Sequence, residues 1–366
     1  MILGVNGLRL QGRVSGVGRA IEAILDELDR AQHPFDEIRV YSPEPIDLKP
    51  GSKAINVVLP SRLSPGWWEQ LVLSQARQDL LLCPSYTAPL MARSPTLLIH
   101  HGSYEGYPQA FPFLPRTRAR IVYTLSAHAA TAVSTVSEHS KRDIIRFYGV
   151  DANKISVIPE GVDTKLFRKL ADEEAVRSWR ISLLGEDVPM LLYVGKPAKR
   201  RNLPALIRAF GELKQRDGIP HKLVLIGAAL AGTPFGPAVE ALGLQDDVVA
   251  VPYASHEDMV LAYNAAEILV YPTSYEGFGM PVLEAMACGT PAVALDNTAL
   301  PEFAGGVALL LPDAEVGTLR EALGALIADP ARRAEMAMLG PRRASAYDWK
   351  PITEQYIGVM NGILGL

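Results

Sequence analysis

Several features of other protein classes are missing from this sequence. It has only two cysteines, Cys83 and Cys288, which lie far apart among apolar residues and are expected to be free thiols in a reducing compartment. No apolar run approaches the roughly 18 residues that cross a bilayer, and the first residues lack the basic flank and the length of a signal peptide. A net charge of −4 provides no basic field for nucleic acid. We therefore expect a cytoplasmic protein without a nucleic-acid partner.

Two motifs of nucleotide-binding proteins are also absent. No Asp-x-Asp sequence occurs, so we expect no metal held by paired aspartates on a diphosphate. Gly16 and Gly18 open a predicted helix after the first strand, but Ile21 replaces the third glycine of G-x-G-x-x-G. The next predicted strand ends in Tyr-Ser-Pro, without the acidic residue of a nicotinamide site. Two interpretations of the glycines stay open: a phosphate-binding turn, or a tight turn with no ligand.

What is present is an alternation of short apolar strands and helices that occurs twice along the chain. The 366 residues are 48% hydrophobic and 21% charged, which is typical of a folded protein of two or three domains. Short apolar runs bounded by turn residues predict buried parallel strands, and the segments between them have helical spacing. The sequence therefore predicts an α/β protein built from two doubly wound units.

The most informative segment covers residues 271–293, with the sequence YPTSYEGFGMPVLEAMACGTPAV. It predicts a strand, a glycine-rich turn, a short apolar helix and another strand. Glu276 then follows a strand, and Glu284, after seven intervening residues, lies in the first turn of the helix. Open α/β sheets bind ligands at this edge, and a carboxylate there can hold the vicinal diol of a ribose or hexose. The alternative is one solvated and one capping glutamate, although an unpaired charge in so apolar a helix would be costly.

This segment resembles the E-x7-E signature of retaining glycosyltransferases of family 4, which have the GT-B fold. The resemblance implies two Rossmann-like domains facing across a cleft: an acceptor-side domain over residues 1–168 and a nucleotide-sugar-binding domain over residues 169–346. Residues 347–366 would form a helix that crosses back to the first domain. The implied reaction moves a hexose, for example mannose, from a GDP-, UDP- or dTDP-linked sugar to a hydroxyl of a glycan or lipid-linked acceptor. It would retain the anomeric configuration and need neither a metal nor another cofactor.

The resemblance also assigns the donor site. Glu284 would hold the ribose and Glu276 the donor sugar. Lys196 and Arg201, with Arg200 beside them, would contact the diphosphate, and an anion there also resolves the conflict between these cations and the dipole of the following helix. Further donor contacts are expected from these residues: Gly16, Gly18, Tyr253, Gly277, Phe278, Gly279 and Met280.

His100 and His101 end another predicted strand. A histidine with a near-neutral pKa at this edge suits hydrogen bonding or proton transfer, and a satisfied loop histidine is the alternative. Family members commonly have His-Asp here, so the resemblance makes His100 the histidine near the reacting centre, and His101 replaces the aspartate. Glu160 likewise stands where many relatives have asparagine. The catalytic candidates are His100, Glu276, Lys196 and Arg201.

Residues 103–120 combine aromatic side chains with arginines: Tyr104, Tyr107, Phe111, Phe113, Arg116, Arg118 and Arg120. We expect a loop here, and two interpretations stay open: contact with an acceptor or with lipid headgroups at the inner face of the membrane, or a solvated basic face.

The segment Trp-Glu-Gln at Trp68 resembles bacterial O-antigen and exopolysaccharide transferases, which are often mannosyl- or rhamnosyltransferases. Two alternatives to a transferase remain: a non-catalytic nucleotide- or glycan-binding protein, and a sugar-nucleotide isomerase of the GT-B class. The sequence identifies neither the base, the sugar and the acceptor nor the oligomeric state.

Overall fold

The protein, in the computed structural model, consists of two compact units. The structure describes residues 1–12, 16–107, 113–230 and 235–366. The first unit contains Met1–Gly161 and Trp349–Leu366, and the second contains Val162–Asp348. Residues 162–168, which the sequence analysis placed in the first domain, thus belong to the second unit, as do residues 347–348. The chain leaves the first unit once and returns to it for its last helix.

The described part of the first unit contains a parallel sheet of seven strands: β1 (Ile2–Asn6), β2 (Glu37–Ser42), β3 (Ile55–Val58), β4 (Leu80–Cys83), β5 (Thr96–His100), β6 (Ala132–Thr135) and β7 (Ile155–Val157). Their order is β3-β2-β1-β4-β5-β6-β7. The central strands are buried apolar runs, such as LLLC in β4, because helices cover both faces of the sheet. The direction of strand addition reverses between β1 and β4, and ligands bind at the carboxyl edge beside such a reversal.

The described α-helices of residues 1–161 are α1 (Gly16–Leu28), α2 (Pro65–Leu71), α3 (Phe113–Ala129) and α4 (Glu138–Tyr148). The amphipathic helix α1 buries Ile21, Ile24 and Leu28 against the sheet. The prediction of a loop over residues 103–120 is wrong for its second half, because α3 begins at Phe113. Pro115 is compatible with this helix, since the N–H groups of a first turn have no partner within the helix. Phe111 lies outside the described residues.

The second unit repeats the architecture. In its described residues it has six parallel strands: β8 (Met190–Val194), β9 (Lys222–Ile226), β10 (Val248–Val251), β11 (Ile268–Tyr271), β12 (Ala292–Leu295) and β13 (Leu309–Leu311). Their order, β10-β9-β8-β11-β12-β13, reverses between β8 and β11. The described helices of this unit are α5 (Glu173–Leu184), α6 (Leu203–Asp217), α7 (Phe235–Ala241), α8 (His256–Ala265), α9 (Met280–Ala287), α10 (Leu300–Ala304), α11 (Val316–Ala328) and α12 (Pro330–Ala344).

The last helix, α13 (Trp349–Leu364), is part of the first unit. Its residues Ile352, Tyr356 and Met360 are buried in the core that α1 and the sheet also form. Trp349 lies so close to Gly161 that a Cβ at that glycine would be 2.4 Å from its ring. Within the described residues, every helix is too short or too polar to cross a bilayer.

Candidate active site

The carboxyl ends of β8 and β11, where the second sheet reverses, bring together a buried carboxylate and two guanidinium groups. Glu276 accepts hydrogen bonds from Tyr271 Oη at 2.9 Å and from Thr273 Oγ1 at 3.1 Å. Its Oε1 also lies 3.5 Å from Arg200 Nη2 and 3.6 Å from Arg201 Nε. Two cations therefore flank one carboxylate at the edge of the sheet where α/β folds bind ligands.

Arg201 is held by its surroundings before any ligand binds. Its Nη1 donates to the Val194 carbonyl oxygen at 3.4 Å, and its Cζ lies 5.7 Å from the centre of the Tyr271 ring. Burial lowers the pKa of Arg201, but the nearby Tyr271 and Glu276 outweigh this effect and raise the pKa above its ordinary value, so the group stays charged. Gly195 has φ +143°, and a Cβ there would lie 1.4 Å from Arg201 Nη1. The arginine can occupy this position only because residue 195 is a glycine.

The loop that carries these cations is tied to the loop that carries Glu276. Asn202 Nδ2 donates to the Pro272 carbonyl oxygen at 2.8 Å and to Ser274 Oγ at 2.7 Å. Arg200 Nε donates to the Tyr275 carbonyl oxygen at 3.2 Å. The sequence analysis did not single out Asn202 as a site residue. Lys196, which was predicted to contact the diphosphate together with Arg201, is exposed on the strand-to-helix loop.

Glu284 is held by a residue that the sequence analysis also missed. It is the fifth residue of α9, one position beyond the first turn in which we expected it. Its side chain is buried, and Tyr263 Oη on α8 donates to its Oε2 at 2.6 Å. A single tyrosine in a helix of mixed composition gives no sign of such a role.

The turn before α9 contributes backbone to the site. Phe278 stacks on Phe303 with ring centres 4.5 Å apart, so its side chain belongs to the core and any contact with a ligand is through its main chain. Gly279 has φ +117°, and a Cβ there would lie 2.5 Å from a neighbouring leucine, so glycine is required. Gly277 is buried, and Met280 begins the helix half-buried.

The remaining donor candidates are dispersed. Tyr253 is 71% exposed and follows β10, the edge strand two places from β8. Gly16 and Gly18 are in the first unit, at the start of α1, where Gly16 is exposed and Gly18 is buried.

In the first unit, His100 is completely buried at the carboxyl end of β5. Burial, with a smaller contribution from the charge of His101, lowers the pKa of His100 to about 3, so the expected near-neutral pKa is wrong. Its Nε2 lies 3.2 Å from Tyr148 Oη, and the rings of Tyr86 and Tyr123 pack against it with centres 5.0 and 5.8 Å away. A histidine neutral at physiological pH and this weakly basic suits hydrogen bonding better than proton transfer.

His101 forms a buried pair with Glu160. Its Nδ1 lies 2.6 Å from Glu160 Oε1, and its Nε2 lies 2.8 Å from the Pro84 carbonyl oxygen. Burial lowers the pKa of His101, but the charge and hydrogen bond of Glu160 outweigh that effect and raise the pKa above its ordinary value. Two positions at which the sequence departs from the family pattern therefore face each other. The sequence analysis treated them separately.

Comparison with known proteins agrees with this architecture. One family model, described as glycosyl transferases group 1, matches residues 177–342, and another, described as glycosyltransferase family 4, matches residues 14–166. The chain belongs to glycosyltransferase family 4. A solved structure of Anabaena HepE in complex with UDP-glucose superposes with a TM-score of 0.81 at 19% identity, covering 99% of both chains. This family 4 chain therefore has the GT-B fold that its resemblance implied.

Two curated relatives of this family 4 protein match part of its length. The D-inositol 3-phosphate glycosyltransferase of Kineococcus radiotolerans is 31% identical over 251 residues, which are 63% of this chain and 57% of the relative. The MMP alpha-(1->4)-mannosyltransferase of Mycolicibacterium hassiacum is 32% identical over 229 residues, 62% of this chain and 52% of the relative. The matched part thus spans little more than half the length of each relative.

Proposed function

We propose that the protein is a glycosyltransferase that moves a hexose from a nucleoside diphosphate sugar to a hydroxyl of a glycan or lipid-linked glycan, with retention of configuration. One observation carries the proposal: Arg200, Arg201 and Glu276 meet at the reversal of the second sheet, and Glu284 is buried on the following helix. Cations suit the diphosphate and carboxylates suit sugar hydroxyls, so the set matches both halves of such a donor.

Each group has a distinct role in this proposal. Arg201 and Arg200, with Lys196, bind the departing diphosphate and stabilise the charge that develops on it. This stabilisation needs no metal, and the absence of an Asp-x-Asp sequence supports a metal-free reaction. Glu284 holds the ribose: a carboxylate can accept about four hydrogen bonds, so Tyr263 and a diol can share it. Glu276 holds the donor sugar, and His100 contacts it near the anomeric carbon.

The names of two similar proteins suggest which donors to test first. One curated relative is named a mannosyltransferase, and the structure of HepE contains UDP-glucose. GDP-mannose and UDP-glucose are therefore the first donors to test, followed by dTDP-linked sugars. Tyr253, exposed beyond β10, is the candidate that would line the base pocket.

The test is thermal stabilisation by UDP, GDP, ADP and dTDP and by their sugars, in EDTA. A nucleotide at a hundred times its dissociation constant should add about 2.7 kcal/mol to the free energy of unfolding. We expect one base to stabilise the wild type and Glu302→Ala, which changes an exposed glutamate on α10, but not Glu284→Ala. Stabilisation by no nucleotide, or only with magnesium, would contradict the metal-free donor site.

Product analysis separates the transferase from its alternatives. With donor and acceptor, a transferase releases the nucleoside diphosphate and forms a glycoside whose anomeric configuration matches that of the donor. An isomerase would return an altered sugar nucleotide and no free diphosphate. A binding protein would leave the donor intact.

We also propose that the first unit touches a membrane surface through the outer side of α2 and α3. Seven large apolar side chains are exposed on these helices and on the segment between them: Trp67, Leu71, Leu90, Met91, Ile121, Val122 and Leu125. The segment is bound to both helices, since Gln70 Nε2 and Ser126 Oγ donate to the Ala88 carbonyl oxygen at 3.1 and 3.4 Å. We call these seven residues the α2–α3 surface.

The charge around the α2–α3 surface favours anionic lipid. Residues 60–137 contain six arginines and three acidic residues, and two of the acidic residues, Glu69 and Glu105, are buried. Two of the predicted contact residues have partners within the protein, because Tyr107 Oη donates to Asp143 and Arg120 Nη2 donates to the Phe147 carbonyl oxygen. The apolar residues of the α2–α3 surface, with the arginines around them, are therefore the better candidates.

Vesicle sedimentation tests this contact. We expect binding to vesicles with anionic lipid, weaker binding to neutral vesicles, and loss of binding in Trp67→Glu/Leu71→Glu. Met338→Glu, which places the same charge at an exposed apolar position on α12, is the matched control. Equal binding by both variants would contradict the assignment.

A further inference from the structure

A chain of three buried polar groups ends at His100. Tyr148 Oη, on the last residue of α4, donates a hydrogen bond to Glu105 Oε1 and lies 3.2 Å from His100 Nε2. Glu105 is in the turn that follows β5, and it is 2% exposed, Tyr148 4% and His100 0%. These groups come from three separate elements, and only His100 was predicted to have a function.

The protons of this chain have two possible orders. In the first, Glu105 is a carboxylate, Tyr148 donates to it, and the tyrosine oxygen accepts from Nε2–H of His100. In the second, Glu105 is protonated, Tyr148 donates to Nε2, and His100 carries its proton on Nδ1. Because Tyr148 has one proton to donate, the state of Glu105 determines the tautomer of His100.

The surroundings of Nδ1 favour the first order. His100 Nδ1 is buried and has no hydrogen-bond partner among the described residues. An unpartnered N–H in such a place is rarer than an unpartnered lone pair, so Nδ1 is expected to be unprotonated. Burial raises the pKa of Glu105 above its ordinary value, although the hydrogen bond from Tyr148 acts in the opposite direction and favours the carboxylate. A phenol is also a better donor to a carboxylate than to a neutral imidazole.

We propose that Glu105 and Tyr148 are positioning residues that hold His100 as its Nε2–H tautomer, so that Nδ1 presents a lone pair to a substrate hydroxyl. No proton is transferred in this role, which agrees with the weak basicity of the buried ring. The inference deepens the proposed function and depends on it only for the identity of the hydroxyl. The tautomer itself is a property of the unliganded protein.

Access to Nδ1 requires that a covering side chain move. Tyr86 and Tyr123 stack on each other with ring centres 5.2 Å apart, and both rings lie against His100. Tyr86 has φ +59°, a strained conformation for a tyrosine. Both tyrosines are half-buried, whereas His100 is enclosed. The pair thus covers a histidine whose preferred tautomer is already set.

The test is nitrogen-15 NMR of the full chain with labelled histidine, near neutral pH and without ligand. Ring nitrogen shifts distinguish protonated from unprotonated nitrogens, and His100→Gln identifies the signals of His100 among the seven histidines. We expect a protonated Nε2 and an unprotonated Nδ1 in the wild type. Tyr148→Phe and Glu105→Gln should each replace this single tautomer by a mixture.

Tyr107→Phe is the matched control. It also removes a tyrosine–carboxylate hydrogen bond to α4, from Tyr107 Oη to Asp143 Oδ1 at 3.0 Å, but it leaves the chain to His100 intact. It should therefore keep the wild-type tautomer at a similar cost in stability. A wild-type signal from Nδ1–H, or an unchanged tautomer in Glu105→Gln and Tyr148→Phe, would overturn the inference.

A kinetic measurement separates this inference from the proposed function. If the protein is a transferase, Tyr148→Phe should lower kcat about tenfold with little change in KM for the donor, while Tyr107→Phe stays near wild type. If the wild type has the expected tautomer but consumes no sugar nucleotide, the proposed function fails and the positioning of His100 stands. A tautomer change that leaves kcat unaltered would overturn the positioning role alone.

Discussion

The two units arrange polar groups at their ligand-binding edges in opposite ways. In the second unit, Arg200 Nη2 and Arg201 Nε lie 3.5 and 3.6 Å from Glu276 Oε1. In the first unit, His100 is neutral, and His101 is held at 2.6 Å by Glu160. The second edge therefore offers positive charge to an anion, whereas the first offers hydrogen bonds to neutral groups. The difference suits a phosphate on one unit and hydroxyls on the other.

Glu69 is a second example of how the first unit neutralises charge. Its Oε2 accepts from Asn6 Nδ2 at 2.8 Å and from Thr87 Oγ1 at 2.9 Å, and its Oε1 accepts from Gln70 Nε2 at 3.2 Å. Burial raises the pKa of this carboxyl above its ordinary value, although the three hydrogen bonds act in the opposite direction. Such a group fixes the positions of its donors and is a poor candidate for binding an anion.

The largest expected effect breaks the pair in the first unit. His101→Asp places a new carboxylate against Glu160 in a buried site, which should lower the free energy of unfolding by about 3–5 kcal/mol. Adding Glu160→Asn restores the family pattern and should recover most of that loss. Denaturant unfolding of the single and double variants measures both the loss of unfolding free energy and its recovery. A double variant no more stable than His101→Asp would refute the pairing.

The pH dependence of the same pair has a definite sign. Because the folded pKa of His101 is raised, its stabilisation is complete below the ordinary histidine pKa and is lost as pH rises through the folded value. Unfolding measured from mildly acidic to alkaline pH should show this loss in the wild type. Glu160→Gln should reduce the slope, and an unchanged slope would argue against the ion pair.

The next effect concerns the cations of the second unit. Arg201→Met should lower turnover about 100- to 1000-fold. It removes a positive charge that is already in position when negative charge develops on the departing diphosphate. Lys196→Met should cost about tenfold less, since Lys196 is exposed and must be ordered by the ligand. Rates of donor consumption at saturating donor compare the two. Equal losses would mean that charge alone matters, and not the buried position of Arg201.

A third substitution tests whether the position of Arg201 depends on Gly195. Gly195→Ala places a Cβ 1.4 Å from Arg201 Nη1, so the arginine must move. This should lower turnover about tenfold, which corresponds to an increase of roughly 1.4 kcal/mol in the activation free energy. Gly185→Ala is the control, because Gly185 also has positive φ, +79°, but nothing lies within 4 Å of its Cβ. Both should lose some stability, and only Gly195→Ala should lose activity.

The smallest expected effects separate the two glutamates. Tyr263→Phe removes one hydrogen bond to Glu284 and should weaken binding of nucleoside diphosphate and nucleotide sugar alike, by about 1 kcal/mol or fivefold. Tyr271→Phe removes one from Glu276 and should weaken only the nucleotide sugar. Calorimetric titration with both ligands distinguishes these results. If Tyr271→Phe also weakened the nucleoside diphosphate, the sugar role of Glu276 would be wrong.

The fold could be predicted where a segment carries its own signal. The two doubly wound units and the strand, turn, helix and strand of residues 271–293 are confirmed, because buried parallel strands and short apolar helices have strong local patterns. The elements that the sequence did not predict are short and lie at edges or between stronger elements. Only pairing with β2 identifies β3, whose four residues INVV are half-exposed. The three-residue strand β13 is likewise defined by its pairing with β12.

The site could be predicted only in part, for a related reason. Glu276 and Glu284 lie in one segment whose pattern places them together. Tyr263, Tyr148 and Glu105 act through hydrogen bonds between residues that are 21 to 48 positions apart in the sequence. Periodicity does not record such contacts. The low pKa of His100 could not be predicted either, since it depends on burial by Tyr86 and Tyr123.

The return of the chain through Trp349 has a consequence for how this protein is made. During synthesis, the second unit leaves the ribosome before α13, so its residues can fold while the first unit still lacks a helix of its own core. Until then, apolar positions of α1 that will contact α13 remain uncovered. The nascent first unit therefore keeps apolar surface in contact with water until α13 has been translated.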